Sequence, residues 1–456
     1  MDGNFILIIN FVVYLLTFLI YVAKKKAFDL GTICLFSFML SSLGSVWYYS
    51  FDKVSSFYPD MNIVALMFVY FVFIMFVIPL LFINYKQIKM ISSSKYQNVL
   101  HVTSCFFAII AVPVFINLVF NFLFKSFDGN VLNSMYESDV DNATIIFVPG
   151  VKQCYSLMRR FYDLIAFLFC YNLFVCRDVK IRIGLALSVL SFFMVAFQGG
   201  SRGGIITSLI TLGGFILLFY NLYSSKVKRF IQIAGVSVCG ILVLGLSAIS
   251  VSRFVANDTK DSDKVIDQWI AQYLGEGMVR FSDDCFPIKE QLNGDKNFSF
   301  IKSLIGFDEE TDNEKANLKY EAKLKIPTSV FYTFVGSYYL DFNFVGTLVI
   351  AILSLCIMVK VSIRINKQCK IGFIEALVLI KFFKMIAIGF TSNVFAVTSI
   401  QQDEFVFWLL IACISVLSAK NVITPPITLE KLAKVRKIIE VVYSSYSVQT
   451  LKPCTL

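Results

Sequence analysis

Residues 198–220 read QGGSRGGIITSLITLGGFILLFY, so a glycine-rich polar turn stands directly before an apolar run that begins a membrane helix. Ser201 is placed to cap the N-terminus of that helix. The glycines let backbone N–H groups approach a ligand, and the helix N-terminus carries partial positive charge. Arg202 adds a full charge in a planar fork that suits phosphate. The stretch predicts an anion-binding turn at the mouth of a membrane helix. A plain turn whose arginine meets lipid headgroups is the alternative.

The composition is that of a polytopic membrane protein. Of the 456 residues, 57% are hydrophobic and 16% are charged, and the mean hydropathy is +0.73, which is outside the range of soluble domains. The net charge of +10 indicates basic loops that face the cytoplasm and acidic lipids, not nucleic acid. No CxxC or Cys/His metal spacing occurs, so neither a metal nor a cofactor is expected. The only histidine, His101, lies next to a predicted cytoplasmic membrane boundary, which leaves none for catalysis outside the membrane.

Eleven apolar runs are long enough to be predicted as membrane spans. The fold class is therefore an all-α polytopic membrane protein. Every second connection, after spans one, three, five, seven and nine, is short and basic, as is the tail, so these segments are expected in the cytoplasm. The N-terminus and the glycine-rich turn are then outside. The predicted spans lie near 5–23, 28–48, 62–85, 102–124, 161–176, 183–197, 205–220, 230–251, 342–361, 373–391 and 405–419.

The connections divide the chain into four regions. Spans one to eight occupy residues 1–251 and include a polar outer loop at 125–160. Residues 252–327 form a large outer loop, residues 328–419 carry spans nine to eleven, and residues 420–456 are a basic cytoplasmic tail. The large loop is too long for a plain link and carries aromatic residues. It is interpreted as a partly helical lid or substrate-binding element.

Three arginines stand out among the few in the predicted outer segments. Arg202 is in the glycine-rich turn, Arg253 begins the large loop, and Arg280 follows Gly275-Glu276-Gly277. Two or three arginines that converge at the outer leaflet suit a diphosphate. Arginines at membrane boundaries also bind ordinary lipid phosphate, which is the alternative for each of them.

Further polar residues are candidates for chemistry or for structure. Lys381 and Lys384 lie inside the tenth apolar run; a shift of that span to about 382–400 would leave Lys381 at the cytoplasmic edge, so a structural or snorkelling role is favoured. Cys154 and Cys285 are the only cysteines in the predicted outer loops, and their spacing does not show whether they pair. Four carboxylates are candidate acids or bases, with a solvated loop surface as the alternative. They are Glu276, Asp283, Asp284 and Asp341.

The run Ser201-Arg202-Gly203-Gly204 at the start of a span resembles the motif of the bacterial O-antigen polymerase (Wzy) family, which polymerises oligosaccharide repeat units. Two later segments, Gln272–Gly275 and Ile326–Gly346, resemble segments in and after the large periplasmic loop of those proteins. Asn343 stands where a D-F-G-x-x-G-like turn has a glycine. The overall plan, many spans with a large outer loop in the second half, is similar as well.

The resemblance implies a GT-C-like fold and a metal-independent glycosyl transfer at the periplasmic face of the bacterial inner membrane. A growing glycan leaves undecaprenyl pyrophosphate and joins a new lipid-linked repeat unit; membrane lipid and a chain-length regulator are further partners. Arg202, Arg253 and Arg280 would be the catalytic residues that bind and neutralise the pyrophosphate. The implied substrate-binding residues are Gly200, Ser201, Gly203, Gly204, Tyr273 and Tyr338.

Other functions stay open at this point. A flippase for lipid-linked oligosaccharides would need a charged central cavity between repeated halves, and no internal repeat is visible in the sequence. Other GT-C-type transferases carry an acidic pair in the first outer loop, where Asp52 and Asp60 are widely spaced. An O-antigen ligase would use an outer-loop histidine, which this chain lacks.

Overall fold

A computed structural model describes residues 2–25, 28–92, 94–124, 148–175, 178–198, 202–235, 262–307, 310, 312–328 and 330–419 of the 456-residue chain. Helices make up most of the described chain, and residues 225–235 are helical as well as the helices named next. In chain order the helices are α1 (Gly3–Lys25), α2 (Leu30–Tyr49), α3 (Asp52–Phe57), α4 (Ile63–Phe82), α5 (Gln97–Phe124), α6 (Val151–Arg160), α7 (Tyr162–Asn172), α8 (Val179–Gln198), α9 (Arg202–Phe219), α10 (Ser262–Arg280), α11 (Ser299–Leu304), α12 (Asn313–Leu324), α13 (Thr333–Gln368), α14 (Phe373–Ile388) and α15 (Thr398–Ala419).

Eight helices of the described chain are long and apolar enough to cross a membrane, so this is a helical, multi-pass membrane protein. They correspond to predicted spans one to four, six, seven, nine and eleven. The predicted fifth and tenth spans are the shorter helices α7 and α14, of 11 and 16 residues. Most of the eighth lies outside the described residues. The total of eleven spans stays a prediction, as does the likeness to GT-C transferases.

The two short helices α7 and α14 form the centre of the helical body. On α7, residues 164–168 are all fully buried, and on α14 Leu377, Ile380 and Phe383 have no exposed surface. A helix that is apolar and buried on every side belongs to the interior of a bundle. The long helices surround these two and turn large apolar side chains outward; on α1, Leu16 is 52% exposed. Such outward side chains form the surface that faces lipid.

Contacts between connecting segments sort them onto two opposite faces of the body. On one face, Lys25 at the end of α1 donates from Nζ to the carbonyls of Leu81 (2.7 Å) and Ile83 (3.0 Å) at the end of α4. The side-chain amide of Asn221, after α9, donates to the Tyr85 carbonyl (2.8 Å) on the same face. We call this the basic face, because the connections gathered there are the lysine-rich ones.

The opposite face, which we call the loop face, carries the described residues between 281 and 332. There the Asp60 N–H donates to the Asp283 carboxylate (2.8 Å), and Arg160 at the end of α6 pairs with Asp403 of α15 (3.0 Å). Each of these contacts joins connections that the alternation of basic loops puts on the same side. That the basic face is the cytoplasmic one stays a prediction from charge.

A short parallel ladder on the basic face adds strand structure to the expected helical fold. β1 (Met90–Ser92) pairs with β2 (Lys370–Gly372). The Lys89 N–H extends the ladder to the Cys369 carbonyl (3.0 Å). The connection after α4 is therefore tied to the connection after α13.

The long helix α13 is kinked at Asn343, which has a left-handed φ of 55° with ψ −167°. Its side-chain Oδ1 accepts from the Phe344 N–H (2.7 Å). This backbone conformation is strained for any residue with a side chain, and it falls where a glycine was expected from the D-F-G-x-x-G-like pattern. The helix begins at Thr333, nine residues before the predicted start of the ninth span.

The first helix of the large loop, α10, packs along α2 as part of the helical body. The two helices touch at Gly44 and Gly275, where a Cβ on Gly275 would lie 2.3 Å from the carbonyl carbon of Gly44. Backbones approach this closely only where both residues lack a side chain. The large loop is partly helical, as expected, with α11 and α12 following α10.

Gly275→Ala is expected to destabilise the protein by about 1–3 kcal/mol or more, because the added methyl group meets backbone that cannot move aside. Gly213→Ala on α9 is the matched control, since a Cβ there meets nothing within 4 Å and alanine favours a helix. Thermal unfolding in detergent, followed as loss of monodisperse protein, measures both. Equal midpoints for the two variants would contradict the close helix contact.

Candidate functional site

The glycine-rich turn leads into α9, whose first residue is Arg202. At the end of α8, the Gln198 side-chain amide donates to the Leu118 carbonyl near the end of α5 (2.9 Å), so these two helix ends lie together on the loop face. Gly203 is exposed, and a Cβ there would meet nothing within 4 Å. Helix packing therefore does not require this glycine, and its backbone is open to a ligand. Gly204 follows it in the first turn of α9.

Several predicted site residues fall where the structure gives no description. Gly200, Ser201 and Arg253 lie outside the described residues, and of Arg202 only the backbone is described. The assignment of these residues to a diphosphate stays a prediction.

Arg280, at the end of α10, is held by two carboxylates. Its Nε lies 2.5 Å from Glu276 Oε1, and its Nη1 lies 3.4 Å from Asp284 Oδ2. The guanidinium also lies over the Tyr58 ring, 5.3 Å from its centroid. Burial by itself lowers the pKa of Arg280, but the neighbouring Glu276 carboxylate raises it overall. A diphosphate at this arginine would have to share the guanidinium with Glu276 and Asp284 or displace one of them.

A cavity of about 230 Å³, which we call the loop pocket, lies on the loop face. It is enclosed by the segment 296–333 and by the residues that join α14 to α15. Lys296 in its wall donates from Nζ to the Thr328 carbonyl (3.0 Å), and burial lowers the pKa of this amine. Other wall residues are Asn317, Tyr320, Phe331, Tyr332, Ser337 and Asn393.

The chemistry of this wall suits a carbohydrate. Aromatic rings offer flat apolar surface with a polar edge, and hydroxyl and amide groups fix the orientation of a polar ligand. The Tyr320 hydroxyl donates to the Asp295 carbonyl (2.7 Å), and the Tyr332 hydroxyl donates to the Pro327 carbonyl (2.6 Å). These bonds hold the two rings in place before any ligand binds.

Two predicted site residues, Arg280 and Tyr273, adjoin the loop pocket. Arg280 interacts with the hydroxyl of Tyr332, a residue of the pocket wall. Tyr273 of α10 packs its ring against the wall residue Phe331, with centroids 5.3 Å apart. The structure therefore brings Arg280 and Tyr273 to the same part of the loop face.

Tyr338, the other side chain expected to bind substrate, does not line the loop pocket and packs within the helical body. Its hydroxyl donates to Met385 Sδ (3.5 Å), and its ring stacks on Phe76 with centroids 6.3 Å apart. The preceding residue, Ser337, does line the loop pocket. A substrate-binding role for Tyr338 stays a prediction that this geometry does not favour.

Asp341, a candidate base, anchors a turn. It has no exposed surface, and its carboxylate accepts from the N–H groups of Lys296 (3.1 Å) and Asn297 (2.7 Å) and from the Asn297 side chain (2.6 Å). These bonds fix the turn that carries Lys296 to α13, two residues before the kink at Asn343. Asp341 does not line the loop pocket.

The other three candidate carboxylates are also engaged. Glu276 and Asp284 hold Arg280, and Asp283 accepts from the Asp60 N–H. Burial raises the pKa of Asp284 against the lowering effect of Arg280, and it also raises the pKa of Asp283. None of the three lines the loop pocket.

A cluster of four charges, which we call the ion quartet, joins α7, α14 and α15 inside the helical body. Lys381 Nζ lies 2.7 Å from Asp163 Oδ2 and 2.5 Å from Glu404 Oε1. Lys384 Nζ lies 3.0 and 2.9 Å from the two carboxylate oxygens of Asp163. Asp163, Lys381 and Lys384 are 6%, 7% and 8% exposed. The two positive and two negative charges balance.

The structure agrees with the predicted start of the tenth span near 373 and not with the alternative placement at about 382–400. α14 begins at Phe373, so Lys381 lies in its middle, and neither lysine reaches the basic face. Asp163 and Glu404 neutralise the lysines where they are, because an unpaired buried charge is too costly. The signal that could have found these pairs is an acidic residue in the fifth apolar segment, Asp163, and another directly before the eleventh, Glu404. Each is a counter-charge for a lysine in the tenth.

No model of a known protein family matches the chain, and no curated protein or solved structure matches it either. Within the described ranges, no group of three or more His, Cys, Asp and Glu side chains could hold a metal ion. Cys154 and Cys285 both carry free thiols.

Asp163→Asn is expected to cost about 3–5 kcal/mol of stability, because it leaves Lys384 buried without a counter-charge. Asp403→Asn, which removes the partner of the half-exposed Arg160, is the matched control and should cost about 1 kcal/mol or less. Thermal unfolding in detergent measures both.

The double variant Asp163→Asn/Lys384→Met restores the charge balance of the ion quartet and should recover part of the loss. If Asp163→Asn lost as little stability as the control Asp403→Asn, the two buried lysines would not depend on Asp163 as a counter-charge.

Proposed function

We propose that the chain is a glycosyltransferase that polymerises lipid-linked oligosaccharide repeat units at the loop face. One observation carries the proposal: α9 begins at Arg202 with open backbone at Gly203, on the face that also holds the loop pocket and Arg280. The resemblance of Ser201–Gly204 to the O-antigen polymerase motif supports the same function. In this proposal the loop face is the periplasmic face of a bacterial inner membrane.

The N-terminus of α9 binds the diphosphate of the donor, undecaprenyl pyrophosphate carrying the growing glycan. The first N–H groups of a helix have no partner within the helix, and the helix dipole favours an anion there. Arg202 and Arg253 supply full positive charges. Together these groups stabilise the negative charge that develops on the departing diphosphate.

The loop pocket receives the terminal sugar of the acceptor repeat unit. A hydroxyl of that sugar attacks the anomeric carbon of the donor glycan, and the bond from this carbon to the diphosphate oxygen breaks. The electron pair leaves with the diphosphate, and the hydroxyl proton passes to a base. Lys296 is the wall residue with the property that a lysine base needs, a pKa lowered by burial. Arg280 keeps its pairs with Glu276 and Asp284 and positions Tyr332 in the wall.

A flippase for lipid-linked oligosaccharides is the alternative from another class. The ion quartet is the observation in its favour, since charges inside membrane helices often belong to transport pathways. Deletion of the gene separates the functions. A polymerase mutant loses long glycan chains but keeps a single repeat unit on the acceptor. In a flippase mutant no lipid-linked unit reaches the outer side, and a ligase mutant accumulates polymer on the lipid.

Arg202→Ala, expressed in the deletion strain, is expected to abolish long chains while a single repeat unit persists. Loss of one charge at the developing anion lowers such rates by roughly 10²–10³. Arg159→Ala is the matched control, because this arginine also lies on the loop face with its side chain 49% exposed. Electrophoresis of the extracted glycan shows the chain lengths. Long chains from Arg202→Ala at normal protein level would refute the proposed role.

Asn317→Trp is expected to block acceptor binding, because the larger side chain occupies the loop pocket of about 230 Å³. With purified lipid-linked substrates the KM for the acceptor should rise at least about tenfold, and donor binding should not change. Leu318→Trp, one residue along α12 and 62% exposed, is the control. Equal acceptor KM values in the two variants would place the acceptor elsewhere.

A further inference from the structure

A second cavity, of about 870 Å³, opens on the basic face, on the other side of the body from the loop pocket. Its walls come from the ends of α1, α4 and α9 and from the start of α2. We call it the basic pocket. The residues that line it include Lys24, Lys25, Phe28, Phe82, Lys86 and Leu217.

The basic pocket has an excess of positive charge. Among the described residues, three lysines and one carboxylate, Asp29, line it. Asp29 is engaged in capping α2, and the ammonium of Lys25 is engaged by two carbonyls at the end of α4. Lys24 and Lys86 are exposed, and neither forms an ion pair with a carboxylate of the described ranges. Two ammonium groups are therefore free to meet an anion.

The same pocket has an apolar wall. Phe28 is 67% exposed and Phe82 is 61% exposed, and both line the cavity together with Leu217. Phe82 ends a membrane-spanning helix, so this wall continues into the surface that faces lipid. A ligand that fills the pocket has an anionic end and an apolar end.

We propose that the basic pocket binds the phosphate headgroup of an anionic membrane lipid, with the acyl chains against Phe28 and Phe82. Basic pockets between membrane helices bind anionic headgroups on the side where the positive charge gathers. A soluble phosphate compound would use Lys24 and Lys86 but would leave the phenylalanines in water, at a cost in apolar exposure. This lipid site is independent of the proposed transferase function.

The test measures lipid binding to the purified full-length protein in detergent by native mass spectrometry. The probes are phosphatidylglycerol, which is anionic, and phosphatidylcholine, which is zwitterionic. Lys24→Gln/Lys86→Gln removes both free ammonium groups of the pocket. Lys89→Gln/Lys180→Gln is the matched control, with the same charge change at two exposed lysines outside the pocket.

The pocket variant is expected to bind phosphatidylglycerol at least about tenfold more weakly than the wild type, since each lysine near an anionic headgroup contributes about a fivefold effect. The control should change less than about twofold. Leu217→Trp keeps every charge but fills part of the cavity, so it should also weaken binding. It keeps the test valid if the double variant does not fold.

Three results would overturn the proposal. The first is equal phosphatidylglycerol affinity in the pocket variant, the control and Leu217→Trp. The second is phosphatidylcholine binding as tight as phosphatidylglycerol binding. The third is stabilisation of the wild type, but not of the pocket variant, by inorganic phosphate or pyrophosphate without lipid, which would identify the occupant as a soluble anion.

Discussion

The arrangement of the helices depends on the neutralisation of charge inside an apolar body. Lys381 and Lys384 are on α14, a helix surrounded on all sides, and they are tolerated there only because Asp163 and Glu404 face them. The pairs connect α14 to α7 on one side and to α15 on the other. Burial of a charged pair contributes little net stability, but loss of one partner is costly, so the quartet specifies which helices pack together.

The loop face is organised by a second polar contact, between the buried carboxylate of Asp341 and the turn at 296–297. This contact fixes Lys296 and the wall of the loop pocket to the start of α13, just before the kink at Asn343. α10 brings Arg280 to the same region through its close packing on α2. The candidate site is thus built on the ends of rigid membrane helices and on the large loop. The Asp341 contact and the packing of α10 on α2 hold this loop in place.

Most of the long helices could be predicted from the sequence, whereas the contacts between them could not, for physical reasons. Apolar length located the long helices. The left-handed backbone at Asn343 was not predicted, although Asn343 stands where the pattern that this segment resembles has a glycine. The pairing of Arg280 with Glu276 and Asp284 was not predicted, although the two carboxylates stand four residues before and after it. The pairing of Lys381 with Asp163 was not visible, because hydropathy locates a span but does not say which spans are neighbours. For the same reason the sequence could not show that the Tyr338 hydroxyl donates to Met385 and that Tyr338 does not line the loop pocket.

The parallel ladder between β1 and β2 has a consequence for biosynthesis. The ribosome completes β1 after about a fifth of the chain, whereas β2 emerges only after roughly four fifths of it. Pairing of such distant segments must wait for translation of everything between them. The first helices therefore enter the bilayer with an open strand edge, and this edge closes only when α13 has been made, so the protein acquires its final form late in synthesis.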